Sequence, residues 1–283
     1  MQLQTWSTLL QKIPLVRGKT RLGRWLIRGH LRQRDLIVRS RYGQQFKVLH
    51  LNESAAYQIA INGVHEPPTL AALQRLLPDD GVLVDVGANI GFFAITLGCQ
   101  KPRARVLAVE ASPRVVEYLR HNIALNHADN VECVHRALMD SDERTIPFYE
   151  ASRAQFGMGS IAPKLWTETS ETTTVTLDSA LAQRGIDRVH AIKMDIEGAE
   201  AFALRGASKT LSGPDAPGIV FEFNAWAERG TPGLQVGDAQ RVLLDHGYTL
   251  WRLRDWLRGG APLSQVLLDG QLNLVACKPA ARR

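Results

Sequence analysis

The residues best placed to do chemistry in this 283-residue chain fall in three short stretches. The first is Val84-Asp85-Val86-Gly87-Ala88-Asn89-Ile90-Gly91, an apolar run that ends in an acid, turns through glycines and becomes apolar again. Such a stretch reads as a buried strand, a tight turn and the start of a helix. Its glycines let a ligand approach the backbone, and the helix start offers free N–H donors. The second is Glu110, which closes the apolar run Arg105-Val106-Leu107-Ala108-Val109. A carboxylate at a strand end after such a turn can accept both hydroxyls of a ribose. The third is Asp195-Ile196-Glu197-Gly198-Ala199-Glu200, followed downstream by Glu222 within Ile219-Val220-Phe221-Glu222-Phe223-Asn224.

The turn selects among ligands. A dinucleotide fingerprint reads G-x-G-x-x-G, and its second glycine lets a pyrophosphate come close. Asn89 occupies that position here, and Asp85 would repel a pyrophosphate, so a nicotinamide-dependent oxidoreductase is disfavoured. S-adenosylmethionine (SAM) suits the pattern better, because it lacks phosphate and carries a sulfonium and an ammonium. Asp85 would attract that cationic tail, directly or through water. The Gly87–Gly91 turn would hold the amino-acid portion and Glu110 the ribose.

Alternating elements must position these groups. Strands are expected near 82–86, 105–110, 131–135, 191–195 and 219–223, with helices near 91–98, 113–126 and 198–210 between them. This rhythm implies a parallel sheet covered on both faces. The runs at 248–253 and 272–277 would close the sheet as an antiparallel pair. A polar stretch at 152–174, containing Gly157, Gly159 and Trp166, reads either as a lid over the site or as a surface insertion. Residues 1–78 form a basic segment expected to dock on the core, and 79–283 the main domain.

Asp195 and Glu222 would face one crevice if their strands are neighbours. Either could act as general base toward a weakly nucleophilic hydroxyl. Alternatively, Asp195, Glu197 and Glu222 could hold a hard cation such as Mg²⁺. Glu200 is better read as complementing a helix N-terminus. His135 and Trp226 read as packing or rim residues rather than as a base and a sugar platform.

The chain resembles the FkbM-type SAM-dependent methyltransferases. The resemblance rests on Val84–Gly91, Val109-Glu110-Ala111-Ser112-Pro113, Thr176-Leu177-Asp178, Lys193–Glu200 and Leu204-Arg205-Gly206-Ala207, with Ile13–Lys19 upstream. It implies an α/β fold with a Rossmann-like seven-stranded methyltransferase sheet, mostly parallel with one antiparallel strand. It also implies methyl transfer to a hydroxyl, often of a sugar or secondary metabolite. The expected cofactor contacts are Asp85, Gly87, Asn89, Gly91, Glu110, Ala111 and Leu138.

Charge is unevenly distributed. Residues 12–47 hold eleven Lys or Arg against Asp35 alone, a net of +10 in a chain of net +6, so the remainder carries −4. The basic segment is interleaved with Leu15, Leu22, Trp25, Leu26 and Leu31. It suits peripheral contact with an anionic membrane or glycan; nucleic acid is a weaker expectation. A non-catalytic polyanion-binding protein with a vestigial methyltransferase fold is the competing reading. No run is long enough to span a bilayer and no signal-like apolar region is present, so a cytoplasmic protein, peripheral to the membrane's inner face at most, is expected. Cys99, Cys133 and Cys277 lack metal-motif spacing and read as free thiols.

Overall fold

The structure is a computed structural model and describes residues 3–14, 18–31, 33–150, 157, 159–162, 168–213 and 215–279. The basic segment folds. It forms α1 (Leu3–Lys12), α2 (Lys19–Leu26), the antiparallel pair β1 (Leu36–Arg39) and β2 (Gln45–Val48), then α3 (Ser54–Asn62) and α4 (Pro67–Leu76). In α1 the buried residues Leu3, Ser7 and Leu10 recur at helical spacing, forming the face that packs on α3 and β1.

Strand and helix then alternate through β3 (Val82–Val86), α5 (Phe92–Gln100), β4 (Arg105–Glu110), α6 (Val115–Leu125) and β5 (Val131–His135). A small excursion follows, of β6 (Ala137–Leu138), β7 (Thr145–Glu150) and β8 (Glu168–Val175). The main rhythm resumes with α7 (Leu177–Ala182), β9 (Ala191–Met194), α8 (Glu200–Arg205), α9 (Ser208–Ser212) and β10 (Gly218–Asn224). The chain closes with α10 (Ala225–Gly230), α11 (Asp238–Asp245), β11 (Thr249–Arg252), α12 (Leu253–Leu257) and β12 (Gln271–Cys277).

Seven strands form one sheet in the order β11-β12-β10-β9-β3-β4-β5. β12 runs antiparallel to both of its neighbours, and the pairs from β10 to β5 are parallel. Side chains alternate between two cores. Leu83, Val106, Ala108, Val220 and Val275 face the core shared with α4, α5 and the N-terminal elements. Val84, Val86, Leu107, Val109, Phe221 and Leu274 face the core that also holds residues of α7, α8 and α11. Both faces are covered, which is why these strands read as nearly continuous apolar runs.

The basic segment is bound to this sheet domain by paired backbone bonds. Asn122 of α6 and Asn126 just past its end accept from the N–H groups of Lys47 and Gln45 at 2.7 and 2.8 Å. Their amides donate back to the same two residues' carbonyls at 3.1 and 2.6 Å.

Two expectations need correcting. The helix expected over 198–210 is broken into α8 and α9, because Gly206 lies directly against the Met139 carbonyl and its own carbonyl accepts from Asp178 N. The polar stretch 152–174 is not loop throughout. From Glu168 it becomes β8, antiparallel to β7 and parallel to β6. Its threonines are β-branched and suit a pleated surface, with Thr172 and Thr174 buried. Trp166 lies outside the described residues, as do Arg17 and Arg32 of the basic segment. Among the described residues no helix is long and apolar enough to cross a membrane, and no disulfide joins Cys99, Cys133 or Cys277.

Candidate functional site

The strand order reverses between β3 and β9, and ligands of open α/β sheets bind at the carboxyl ends flanking such a reversal. There a cleft of about 240 Å³ opens. Its wall begins with the turn after β3, where Gly87, Asn89 and Gly91 all have positive φ (70°, 53° and 89°). Asparagine tolerates this left-handed region better than most residues. Gly87 is required by a second constraint: a Cβ there would run into the backbone carbonyl of Asp195. The turn leans on β4, with Gly87 N and Ala88 N both donating to Val109 O at 2.9 and 3.0 Å.

Glu110 completes this half of the site. One carboxylate oxygen accepts from Asn89 N at 2.8 Å and the other from Ser112 N at 2.9 Å. Burial pushes its pKa up, and the two N–H bonds oppose that shift. Each oxygen keeps lone-pair capacity for a further donor. Glu110, Ala111, Leu138, Met139 and Phe148 all line the cleft, the last three giving it an apolar end. The side-chain oxygen of Asn89 is buried without a hydrogen-bond partner among the described residues, and Asn89 also lines the cleft.

Two expected cofactor residues are placed elsewhere. Asp85 is fully buried, is not among the cleft-lining residues, and accepts from Ala94 N in the first turn of α5 at 3.1 Å. Its other oxygen lies 3.4 Å from the Lys193 ammonium. Its side chain thus points to α5 and Lys193 and not into the cleft, contrary to the direct contact with a cationic tail expected of it. Gly91 also does not line the cleft. It precedes α5, and a Cβ there would press on the side chains of Ile95 and Leu119, a helix-packing position.

The opposite end of the cleft is acidic. Asp195, Glu197 and Glu222 each present an oxygen within 4.8 Å of the others. Burial, and then repulsion from Glu222 and Asp195, pushes Glu197 up to about 8. Burial and the Asp195 charge push Glu222 up to about 7, against a hydrogen bond from Gln271 at 2.8 Å. The second oxygen of Glu222 is buried and unpartnered among the described residues. Ser160 Oγ donates to the Glu197 carbonyl at 3.1 Å, and Gly157, Gly159 and Ile161 line the cleft. The described part of the 152–174 stretch therefore borders the site. Glu200 is buried and accepts from Ile196 N at 2.9 Å, in the turn before α8, and burial raises its pKa well above the usual carboxylate range. His135 and Trp226 do not line the cleft, and Trp226 is exposed.

Sequence reasoning missed several lining residues. Lys193 is buried in β9, donates to the Gly87 carbonyl at 2.9 Å, and lies 3.8 Å from Asp195 as well as beside Asp85. Burial opposes its charge, but the carboxylates of Asp85, Asp195 and Glu66 outweigh burial and raise its pKa. A lone lysine inside an apolar strand was the available signal, since buried lysines are almost always paired. Glu53, His65 and Glu66 reach the cleft from the N-terminal segment. Glu53 caps α3, accepting from Ala55 N and Ala56 N, and burial pushes it up to about 7. Nothing in the sequence pattern joins these three residues to the rest.

Residues 85–250 match the Methyltransferase FkbM domain family. The chain is 28% identical over 220 residues to the 31-O-demethyl-FK506 methyltransferase FkbM of Streptomyces tacrolimicus, covering 68% of this chain and 81% of that one. It is 26% identical over 255 residues to the AMB antimetabolite synthetase AmbE of Pseudomonas aeruginosa; the match covers 77% of this chain but only 12% of that much longer protein. Among solved structures, the precorrin-6y C5,15-methyltransferase of Geobacter metallireducens aligns with a TM-score of 0.45 at 16% identity, covering 76% of this chain and 90% of that one.

Proposed function

The chain belongs to the FkbM family of SAM-dependent methyltransferases, and on that premise we propose that it methylates a hydroxyl oxygen of a saccharide, glycolipid or secondary metabolite. The observation that carries the reading is the joining of two unlike half-sites in one cleft. One half combines the Gly87 turn with Glu110, and the other holds Asp195 and Glu222. The name of the Streptomyces relative, which specifies an O-demethyl substrate, supports oxygen as the acceptor atom.

The residues present fit SAM. Glu110 has free lone pairs for a ribose diol, and the unpartnered Asn89 oxygen suits a donor on the ligand. The backbone of Gly87 and Ala111 would lie along the ligand, with Leu138, Met139 and Phe148 against the adenine. Bound SAM supplies an electrophilic methyl group. The protein's part is to hold the acceptor in line and to take its proton. Glu222, pushed up to about 7, is poised to accept a proton near neutral pH. Asp195, tied to the cofactor turn through Lys193, would orient the same hydroxyl.

A second reading rests on the 4.8 Å cluster of Asp195, Glu197 and Glu222, whose hard oxygen donors suit Mg²⁺. The test of the main reading is incubation with methyl-labelled SAM and a panel of sugar and secondary-metabolite alcohols. Label recovered as a methyl ether supports it, and label found only on nitrogen overturns it.

A further inference from the structure

We propose that the outer face of α1 and α2 is a docking surface for an anionic lipid bilayer. Eight large hydrophobic side chains are exposed among the described residues, and four of them, Leu9, Ile13, Leu22 and Trp25, fall on this short stretch. Trp25 is 61% exposed and Leu22 45%, one helical turn apart on α2. Residues three apart on a helix share a face. Leu9 on α1 and Ile13 just past its end, four residues apart, are exposed as well. Lys19 joins the two helices, donating its ammonium to the Ile13 carbonyl at 2.7 Å.

Cations frame this apolar surface. Lys12, Arg21, Arg24 and Arg28 are exposed, and none forms an ion pair among the described residues. The Arg28 guanidinium lies 5.7 Å from the centre of the Trp25 ring. Tryptophan flanked by arginines, with leucines beside it, matches the interface between headgroups and acyl chains. The rings and leucines enter the boundary while the guanidinium groups meet lipid phosphates. A purely polyanionic partner such as RNA would use the cations but leave Leu9, Ile13 and Leu22 in water. Charge complementarity together with exposed aliphatic area therefore favours the bilayer.

The surface is mechanically continuous with the cleft. Gly23 of α2 packs closely on Ile61 of α3, and the Tyr57 hydroxyl of α3 donates to the Thr20 carbonyl at 2.6 Å. The first turn of α3, at Ser54 and Ala55, lines the cleft. Docking α2 would set this wall of the cleft near the membrane, where a glycolipid acceptor is held. The docking proposal itself does not depend on methyl transfer.

The experiment is sedimentation of the full chain with vesicles of phosphatidylcholine, alone or mixed with phosphatidylglycerol. Binding about tenfold stronger to the mixed vesicles, weakening at high salt, is expected. Trp25→Ser with Leu22→Ser should lower it about tenfold, as should Arg21→Gln with Arg24→Gln and Arg28→Gln. Both variants should keep the wild-type affinity for S-adenosylhomocysteine, which reports the fold. No preference for the anionic vesicles overturns the proposal. So does binding unchanged by the Trp25 and Leu22 substitutions, or single-stranded RNA binding tighter than lipid. Loss of S-adenosylhomocysteine binding in the wild type would count against the functional reading, not against docking.

Discussion

Gly87 lies so close to the backbone carbonyl of Asp195 that a Cβ on it would collide with the oxygen. The turn that would hold the cofactor and the strand end that would face the acceptor are thus fixed in one backbone contact. Their separation is set by the sheet register, in which Val86 pairs with Met194 and Asp195 N donates to Val86 O at 3.1 Å.

Gly87→Ala should therefore damage both half-sites at once. The positive φ alone costs about 1–2 kcal/mol for an alanine, and the contact with Asp195 must also open. Calorimetry should show S-adenosylhomocysteine binding lost and the melting temperature lowered. Gly185→Ala serves as the control, since it also has positive φ but a Cβ there meets nothing.

Glu110→Ala removes charge-assisted hydrogen bonds worth about 1.5–3 kcal/mol, which corresponds to cofactor binding weaker by about ten- to a hundredfold. The variant also leaves Asn89 N and Ser112 N without their acceptor. Glu110→Gln keeps an acceptor for one of them, so it separates cofactor loss from turn loss. An unchanged affinity in folded Glu110→Ala would remove Glu110 from the ribose.

The acidic end should make stability depend on pH. Glu197 and Glu222 are raised from 4.5 to about 8 and about 7, mainly by burial. The folded state thus holds protons that the unfolded chain has already released. Stability from this source is fully present below about pH 4.5 and is lost as pH rises through about 7 and 8. Thermal melts across that window should show a falling melting temperature. Replacing both residues with glutamine should lessen the fall, leaving the part due to Glu53, which burial also raises to about 7.

How legible was this site? Strands that are buried on both faces carry their own signal, and Val82–Val86 and Arg105–Glu110 fold over the ranges read for them. Glu110 and Asp195 were legible because they end such strands. The orientation of Asp85 was not. An acid one residue before the strand end faces the α5 side of the sheet, and only the pairing with Lys193 reveals it. Nor was the N-terminal contribution. Glu53 caps α3, whereas Glu66 precedes α4 without capping it and accepts from Thr69 and Asn273, and only tertiary packing brings the two to the cleft.

Lys193→Met should be among the most damaging single changes. It leaves the fully buried Asp85 without its cation, and breaking a buried pair in this way costs about 3–5 kcal/mol. The double variant with Asp85→Asn should recover much of the stability, because no unpaired charge then remains buried. If the double variant is no more stable than Lys193→Met, the pair is not what Lys193 contributes, and its bond to the Gly87 carbonyl would carry the effect.

Base and metal readings of the acidic end diverge under chelation. A general base acts through its own lone pair, so methyl transfer should survive EDTA and be unaffected by added Mg²⁺. Glu222→Gln should lower the rate by about a hundredfold or more at unchanged cofactor affinity, since base catalysis contributes roughly 10²–10⁴-fold. Under the metal reading, EDTA abolishes turnover and Mg²⁺ restores it, while Asp195, Glu197 and Glu222 become about equally sensitive to amide substitution. Mg²⁺ would also raise the melting temperature most at high pH, where Glu197 and Glu222 are ionised and repel each other. The unpartnered oxygen of Glu222 would serve in either case, since the same lone pair can take a proton or bind an ion, so the EDTA and Mg²⁺ arms decide between them.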